Sequence, residues 1–217
     1  MNDRADRSPN GHDLPAVPPG LGELVREGHL VDLRRHVSSH RDTFARWYQD
    51  AEIAELLRHD LSPLTATQAR GYYDSIILPA TVRGTCWAIH EHHGGRLVGS
   101  TAVTNIDERA GTSLFRLVIG EKERWGRGFG TEATDLALAE AFLRLGLRRV
   151  NLEVFAHNPR AQRAYARVGF RLTGQHVEWV PTARRQIQVM EMSIDRDTWI
   201  ARASLGDATD EPSAAQG

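Results

Sequence analysis

The sequence has one cysteine, one lysine and no long apolar run. Its single cysteine, Cys86, excludes a disulfide framework within the chain and a cysteine-rich zinc site. Of the 27 basic residues only Lys122 is a lysine, which we attribute to composition bias. No run reaches the roughly 18 apolar residues of a membrane span, and no apolar stretch follows the charged N-terminus as in a secretory signal. We therefore expect a cytoplasmic protein that has no membrane partner.

Neither sign of charge dominates the chain. It has 27 basic and 28 acidic residues, for a net charge of -1, so we expect no direct binding to nucleic acid. The 41% hydrophobic and 25% charged residues are typical of a globular protein, and 217 residues suit one domain with tails. We expect Cys86 to be a small buried hydrophobe of that domain. The sequence is compatible with a homodimer and does not decide the oligomeric state.

The composition divides the chain into three parts. Residues 1–28 carry four of the nine prolines and are expected to form a flexible leader. Residues 203–217 are mostly small and polar, which predicts a disordered tail. Residues 29–202 show regular apolar patterns without a long linker, which indicates one folded domain. Within it the order of elements is predicted as β-α-α-β-β-β-α-β-α-β-β, a mixed α/β sheet.

A glycine-rich turn is the most informative local feature. A strand pattern runs into Gly126, Gly128 and Gly130 and then into a helix. Glycines allow positive φ angles and a close backbone approach, and the free N–H groups of a helix start can bind an anion. Arg124 and Arg127 add positive charge beside the turn. The pattern alone leaves open a tight strand–helix turn without a ligand.

Two nucleotide-binding patterns were weighed for this turn. The Walker pattern fails because no lysine stands at the required place. The spacing of Gly128, Gly130 and Ala133 fits the dinucleotide pattern, with Glu153 at about the right distance. The strands before the turn have the pattern of hairpins, however, and too few βα units follow it. A dinucleotide-dependent oxidoreductase is therefore the weaker alternative.

Two motifs resemble the GNAT superfamily of acyltransferases. Residues 125–133 read Trp-Gly-Arg-Gly-Phe-Gly-Thr-Glu-Ala, and residues 158–170 resemble the family pattern Asn-x-x-Ala/Ser-x-x-x-Tyr-x-x-x-Gly-Phe. The tryptophan departs from the superfamily's Gln/Arg-x-x-Gly-x-Gly/Ala pattern but matches its RimJ/RimL-type branch. The resemblance implies a mostly antiparallel mixed sheet of six to seven strands, about four flanking helices, and a splayed strand pair that holds acyl-CoA.

The resemblance also implies an N-acetyltransferase that moves an acetyl group directly from acetyl-CoA to a primary amine, without a metal. The pantetheine would contact the strand end before the turn, and the pyrophosphate would contact the turn amides. Arg127 and Arg163 are candidates for the 3′-phosphate, although either could be a solvated surface arginine. The residues assigned to acyl-CoA are Val118, Ile119, Gly120, Trp125, Gly126, Arg127, Gly128, Phe129, Gly130, Thr131, Asn158 and Arg163.

Acyl transfer to an amine needs a base, because a free amine is mostly protonated at pH 7, and an acid for the leaving thiolate. Tyr165 stands at the family's acid position, although its spacing also fits a core tyrosine. Glu153 is the candidate base, in a Leu-Glu-Val run that resembles RimI-type enzymes; it could also be a strand glutamate facing solvent. Glu121 is a third choice, since Leu114 and Phe115 replace a glutamate found in many members.

The acceptor side is less determined. Its candidate lining residues are Trp47, Tyr48, His157, Glu178 and Trp179. The acceptors considered are a protein N-terminus or lysine, an amine antibiotic, and a metabolite amine or polyamine. The histidine cluster at 90–93 is predicted to be a solvated turn rather than a metal site. A non-catalytic module that binds acyl-CoA is the alternative to an enzyme.

Overall fold

The computed structural model describes residues 20–207 and shows a twisted eight-stranded sheet. The strands are β1 (Leu24–Arg26), β2 (Val31–Arg34), β3 (Cys86–Glu91), β4 (Leu97–Asp107), β5 (Thr112–Ile119), β6 (Arg149–Phe155), β7 (Arg171–Val180) and β8 (Arg185–Asp195). Their spatial order is β1-β2-β3-β4-β5-β6-β8-β7. Within the described residues only β5 and β6 pair in parallel. The sheet is thus a mixed, mostly antiparallel one and not the parallel sheet of a dinucleotide-binding fold.

Seven α-helices cover the two faces of the sheet within the described residues. They are α1 (Arg41–Tyr48), α2 (Ala51–Leu57), α3 (Ala66–Tyr72), α4 (Leu78–Val82), α5 (Phe129–Ala139), α6 (Pro159–Val168) and α7 (Arg196–Asp207). The predicted helix over 41–58 is divided at Asp50, whose side chain caps α2 by accepting from the N–H groups of Glu52 and Ile53. A π-helical turn joins α3 to α4, and another extends α5.

The structure corrects the predicted number of elements. The additional strand, β1, lies in the segment predicted as a leader, and it pairs with β2. Glu132 of α5 holds the adjoining loop by accepting from the backbone N–H groups of His29, Leu30 and Val31 at 2.7–2.8 Å. At the other end α7 continues into the predicted tail as far as Asp207. The rest of the predicted leader and tail lies outside the described residues.

Two main apolar cores lie on opposite faces of the sheet. One packs α5 and α6 against the central strands, with Phe142 and Leu152 buried in it and Trp199 of α7 on its edge. The other packs α1 and the residues near 73–80 on the opposite face, around Phe44 and Trp47. Cys86 belongs to this second core and is fully buried, as predicted. Burial raises the pKa of the Cys86 thiol to about 12, so the thiol stays neutral.

The strands β5 and β6 separate after a short paired stretch. Their register joins Thr112 to Arg149, Ser113 to Val150 and Leu114 to Asn151, and no further pair follows. Both strands continue beyond that point, β5 to Ile119 and β6 to Phe155. The backbone edge of β5 that faces β6 is therefore left without a strand partner over its second half. This gap opens toward the glycine-rich turn and positions the site.

Candidate active site

A cavity of about 160 Å³ occupies the gap between β5 and β6. One wall is the end of β5, another is α6, and the glycine-rich turn closes one end. Ten of the predicted site residues line it: Val118, Ile119, Trp125, Gly126, Gly128, Gly130, Thr131, Glu153, Asn158 and Tyr165. The structure therefore brings the two sequence motifs, which are separated along the chain, to one cavity.

The glycine-rich turn has the backbone geometry of an anion cradle. Gly126 and Gly128 have φ angles of +77° and +88°, a region that side-chain-bearing residues rarely adopt. Gly128 caps α5 without a side-chain bond, and the first N–H that bonds back to it is that of Glu132, at 3.0 Å. The N–H groups before Glu132 have no partner in the helix and carry the positive end of its dipole. A phosphate group fits this arrangement.

Trp125 ties the turn to the strand before it and supports an arginine. Its indole N–H donates to the carbonyl of Ile119 at 2.7 Å. The guanidinium of Arg160 lies over its ring, 3.7 Å from the centroid. Burial lowers the pKa of Arg160 below its ordinary value, although the group remains a cation at neutral pH. Arg160 lines the cavity, as do Arg124 and Arg167, so the walls are positively charged where a polyphosphate would lie.

Arg160 was missed by sequence analysis, which selected Arg127 and Arg163. The structure places Arg127, Arg163 and Phe129 outside the cavity lining. The sequence places Arg160 in the first turn of α6, directly after Pro159. Its contact with Trp125 could not be predicted, because the two residues belong to segments that are separated along the chain. Asn158 lines the cavity and also caps α6, since its side chain accepts from the N–H of Ala161 at 3.2 Å.

Tyr165 points from α6 into the cavity wall. Its ring lies edge-on to Phe115, with 6.2 Å between centroids, and near Phe170. Burial raises its pKa to about 12, while the positive charge of Arg116 opposes this rise. The phenol is therefore protonated at neutral pH and can donate a proton. Its hydroxyl makes no hydrogen bond within the described part of the chain, which leaves it free for a ligand.

Glu153 is the first of a chain of acidic and histidine side chains that leads away from the cavity. Its carboxylate lies 3.5 Å from Nε2 of His59, whose Nδ1 is 2.7 Å from the carboxylate of Glu178. Glu178 in turn is 3.0 Å from His176, and His176 is 2.9 Å from Glu191. The hydrogen bond from His59 holds the pKa of Glu178 below its ordinary value, although burial opposes it. An amine at Glu153 would therefore meet an acidic environment.

His59 was not predicted from the sequence. It lies in the loop after α2, 119 residues from Glu178 in the chain, and no local pattern marks it. Glu178 was predicted for the acceptor side and reaches the cavity only through His59. Two other acceptor-side candidates lie outside the lining of the cavity: Trp179 is 60% exposed, and His157 bonds to the carbonyl of Glu55.

Gly120 and Glu121 have structural contacts instead of the predicted roles. The N–H of Gly120 bonds to the carbonyl of Val98 at 2.9 Å, and a Cβ there would lie 2.0 Å from the ring of Trp47. Trp47 is buried in the core rather than exposed on the acceptor side. Its indole donates to Glu121 at 2.9 Å, and Arg46 and Arg96 also bond to that carboxylate.

These bonds remove Glu121 from the candidate bases. Burial of Glu121 would raise its pKa, but the hydrogen bonds from Trp47 and Arg46 outweigh burial and lower it. A carboxylate with its oxygens engaged by three donors is held as the anion and does not accept a proton readily. Within the cavity, Glu153 is therefore the carboxylate that remains available as a base.

Comparison with known proteins identifies the class. The family model of the acetyltransferase (GNAT) domain matches residues 31–171, so the chain belongs to the GNAT acetyltransferase family. It is an acyl-CoA-dependent N-acetyltransferase, and acetyl-CoA is the acyl donor that this family uses. The glycine turn, the positively charged walls and the unpaired edge of β5 fit such a donor.

Solved structures show the same fold. The acetyltransferase (GNAT family) from Bacillus anthracis has a TM-score of 0.68 at 13% identity, with 79% of this chain and 98% of that chain covered. The spermidine N-acetyltransferase from Vibrio cholerae, solved with CoA and spermine, has a TM-score of 0.68 at 19% identity and the same coverage of 79% and 98%. At these identities the likeness concerns the fold.

The described residues contain neither a helix suited to span a membrane nor a cluster of metal ligands. Across 20–207, no helix combines the length and apolar character needed to cross a membrane. The same residues contain no cluster of three or more His, Cys, Asp or Glu arranged to hold a metal ion. The histidine run at 90–93 is only in part the predicted solvated turn, because His90 lies in β3 and is buried, with its ring bonded to the carbonyl of Gly95. His92 bonds to Asp32.

Proposed function

We propose that this protein transfers the acetyl group of acetyl-CoA to a primary amine that binds beside Glu153, with Glu153 as general base and Tyr165 as general acid. The observation that carries the proposal is the single cavity between the separated strands β5 and β6. It joins an anion cradle, a free tyrosine hydroxyl and a carboxylate available as a base. We also place the chain in the RimJ/RimL-type branch, on the motif at 125–133.

Each residue has a defined task in the proposed reaction. Glu153 takes a proton from the ammonium, so that the neutral amine can attack the thioester carbonyl. The new N–C bond forms as the C–S bond breaks. Tyr165 donates its proton to the departing thiolate sulfur. His59 is a positioning residue, because it holds Glu153 on one ring nitrogen and Glu178 on the other.

The acceptor is an amine that reaches the acidic end of the cavity. The candidates remain a protein N-terminus or lysine side chain, an amine antibiotic, and a metabolite amine or polyamine. The likeness in fold to a spermidine N-acetyltransferase is a reason to include polyamines in the test. The carboxylates of Glu153 and Glu178 favour any of these, since each acceptor arrives as a cation.

A turnover assay tests the proposal. The purified protein is incubated with acetyl-CoA and a panel of amines, and the release of free CoA thiol is measured together with the mass of each product. We expect at least one amine to gain one acetyl group, with one equivalent of CoA released. Binding of acetyl-CoA without transfer to any amine would favour the non-catalytic alternative and overturn the proposal.

A further inference from the structure

A second cavity adjoins the active site on the face covered by α1–α4. Its volume is about 590 Å³. The two cavities share five lining residues: Leu57, His59, Arg116, Leu117 and Val118. The second cavity therefore adjoins the first at the β5 side of the gap. It is wide enough for the body of an acceptor whose amine reaches Glu153.

Arg116 is the unpaired cation at this junction. Its side chain is exposed and makes no hydrogen bond or ion pair with the described residues. The other arginine of the second cavity, Arg58, is by contrast neutralised by Asp60 through bonds of 2.6 and 3.0 Å. An arginine whose charge has no partner beside a cavity is suited to bind a carboxylate or another oxyanion of a ligand.

The strand register places Arg116 opposite Glu153. The last parallel pair is Leu114 with Asn151, and each of the two charged residues stands two positions further along its strand. Side chains two positions apart lie on one face of a strand, so Arg116 and Glu153 border the gap on the same face. Arg116 and Glu153 thus lie on opposite sides of the gap. His59 and Glu178 lie beyond Glu153.

The wall of the second cavity that the helices form is largely apolar, whereas the sheet adds Ser100, Thr101, Thr104 and Asn105. Tyr48, Tyr72, Ile76 and Ile77 form the wall from the helices. Burial raises the pKa of both tyrosines, so their hydroxyls stay neutral. A ligand body in this cavity would meet aromatic and aliphatic side chains, with Arg116 near its mouth.

From these observations we infer that the acceptor is an amine that also carries an oxyanion, such as a hydrophobic α-amino acid. Arg116 binds the oxyanion, Glu153 receives the amine, and the second cavity holds the apolar side chain. The inference rests on the proposed function and narrows it, because an acceptor with only positive charges, such as a polyamine, would face the unneutralised Arg116.

Matched acceptors test the inference. L-phenylalanine, its phosphonate analogue and phenethylamine share one apolar body and differ in the anionic group; spermidine represents a polycation. With saturating acetyl-CoA, we expect kcat/KM to be at least about tenfold higher for phenylalanine or its phosphonate analogue than for phenethylamine. The better of the two anionic compounds shows whether the group is a carboxylate or a phosphonate. Preference for phenethylamine or spermidine would overturn the inference.

Variants of Arg116 test whether the preference for an anionic acceptor depends on this residue. Arg116→Gln should lower kcat/KM for the anionic acceptor at least about tenfold more than for phenethylamine, mainly through KM. Arg116→Lys should restore part of the loss. Arg83→Gln is the matched control, because Arg83 is also exposed and unpaired among the described residues but lies outside both cavities.

Two further outcomes separate the inference from the function on which it rests. Equal loss for phenylalanine and phenethylamine in Arg116→Gln would overturn the assignment of Arg116 while leaving the acetyl transfer intact. Failure of the wild-type protein with all four amines, while another amine of the panel is acetylated, would overturn this inference alone. Failure with every amine of the panel, although acetyl-CoA binds, would overturn the proposed function and this inference with it.

Discussion

The two sides of the active site are built in different ways. The proposed donor side consists of backbone from a continuous stretch, the end of β5 and the glycine turn into α5, completed by α6. The proposed acceptor side consists of side chains from remote segments, with His59 after α2, Arg116 on β5, Glu153 on β6 and Glu178 on β7. A backbone cradle can bind the same donor wherever its motif occurs, whereas the side chains of the other half decide which amine is accepted.

The largest expected effect is a loss of affinity for acetyl-CoA when the glycine turn is changed and the acceptor side is left intact. Gly126→Glu places a carboxylate in the cradle, and we expect the affinity for acetyl-CoA to fall by at least about 100-fold. Gly94→Glu is a matched control, because both glycines have positive φ, +77° and +90°, and neither has an atom within 4 Å of an added Cβ. Calorimetric titration of both variants measures the difference; equal affinities would contradict the cradle.

The next effect concerns the acceptor side alone. Glu153→Gln removes the proposed base, and we expect kcat to fall by about 100-fold while the affinity for acetyl-CoA stays unchanged. The control is Glu108→Gln, since Glu108 is exposed between β4 and β5 and lies outside both the cavity lining and the chain of acidic and histidine side chains. If both variants keep the kcat of the wild-type protein, Glu153 is not the base.

A smaller effect is expected for the proposed acid, which links the two sides. Tyr165→Phe should lower kcat by about tenfold, because a thiolate is a good leaving group and needs only modest help. Stability should hardly change, since the hydroxyl has no partner in the described structure. Tyr73→Phe is the control: its hydroxyl donates to Val37 at 2.8 Å, so this variant should lose about 1 kcal/mol of stability and keep its kcat. Unchanged turnover in Tyr165→Phe would remove it as the acid.

The smallest expected effect is a change of stability with pH, which concerns the acceptor-side face of the sheet. Burial lowers the pKa of His36 to about 3 and that of His90 to about 4, both on the acceptor-side face. Below pH 6.5 the unfolded chain therefore binds protons that the folded chain does not, so stability is lost as the pH falls. Between pH 7 and 6 we expect a loss of about 0.7 kcal/mol for each histidine.

Denaturant unfolding at the two pH values measures this loss. Hydrogen exchange, corrected for its intrinsic pH dependence, should show the larger loss of protection in α1 and its neighbours rather than in α5. The raised pKa values of His92 beside Asp32 and of His176 beside Glu178 oppose this loss in the global stability, so the protection of α1 decides the test. Unchanged or greater protection of α1 at pH 6 would show that His36 and His90 accept protons in the folded protein.

The difference in construction also explains what the sequence could predict. The donor side depends on local rules: positive φ at glycine, a helix start with free N–H groups, and Asn158 before Pro159. These rules act within a few residues, so the turn, α5 and α6 could be identified directly. The family resemblance predicted that two strands separate. The structure shows that their pairing ends after Leu114 and Asn151.

The acceptor side could be predicted only in part, because its contacts join residues far apart in the chain. Glu153 was identified through resemblance, but nothing near His59 indicates that it would reach both Glu153 and Glu178. Trp47, which was a candidate for the pocket, packs against Gly120 in the core. The strand β1 was missed for a similar reason, since Glu132, more than 100 residues away, holds the loop beside it.

Thermal melting with acetyl-CoA, CoA and NADPH in parallel tests the central claim most directly. A ligand that binds only the folded state at about 100 times its dissociation constant adds about 2.7 kcal/mol to stability. The account predicts that acetyl-CoA and CoA raise the melting temperature of the wild-type protein, that NADPH does not, and that Gly126→Glu loses the response while Gly94→Glu keeps it. No shift with acetyl-CoA or CoA, or a shift with NADPH, would contradict the assignment of the glycine turn.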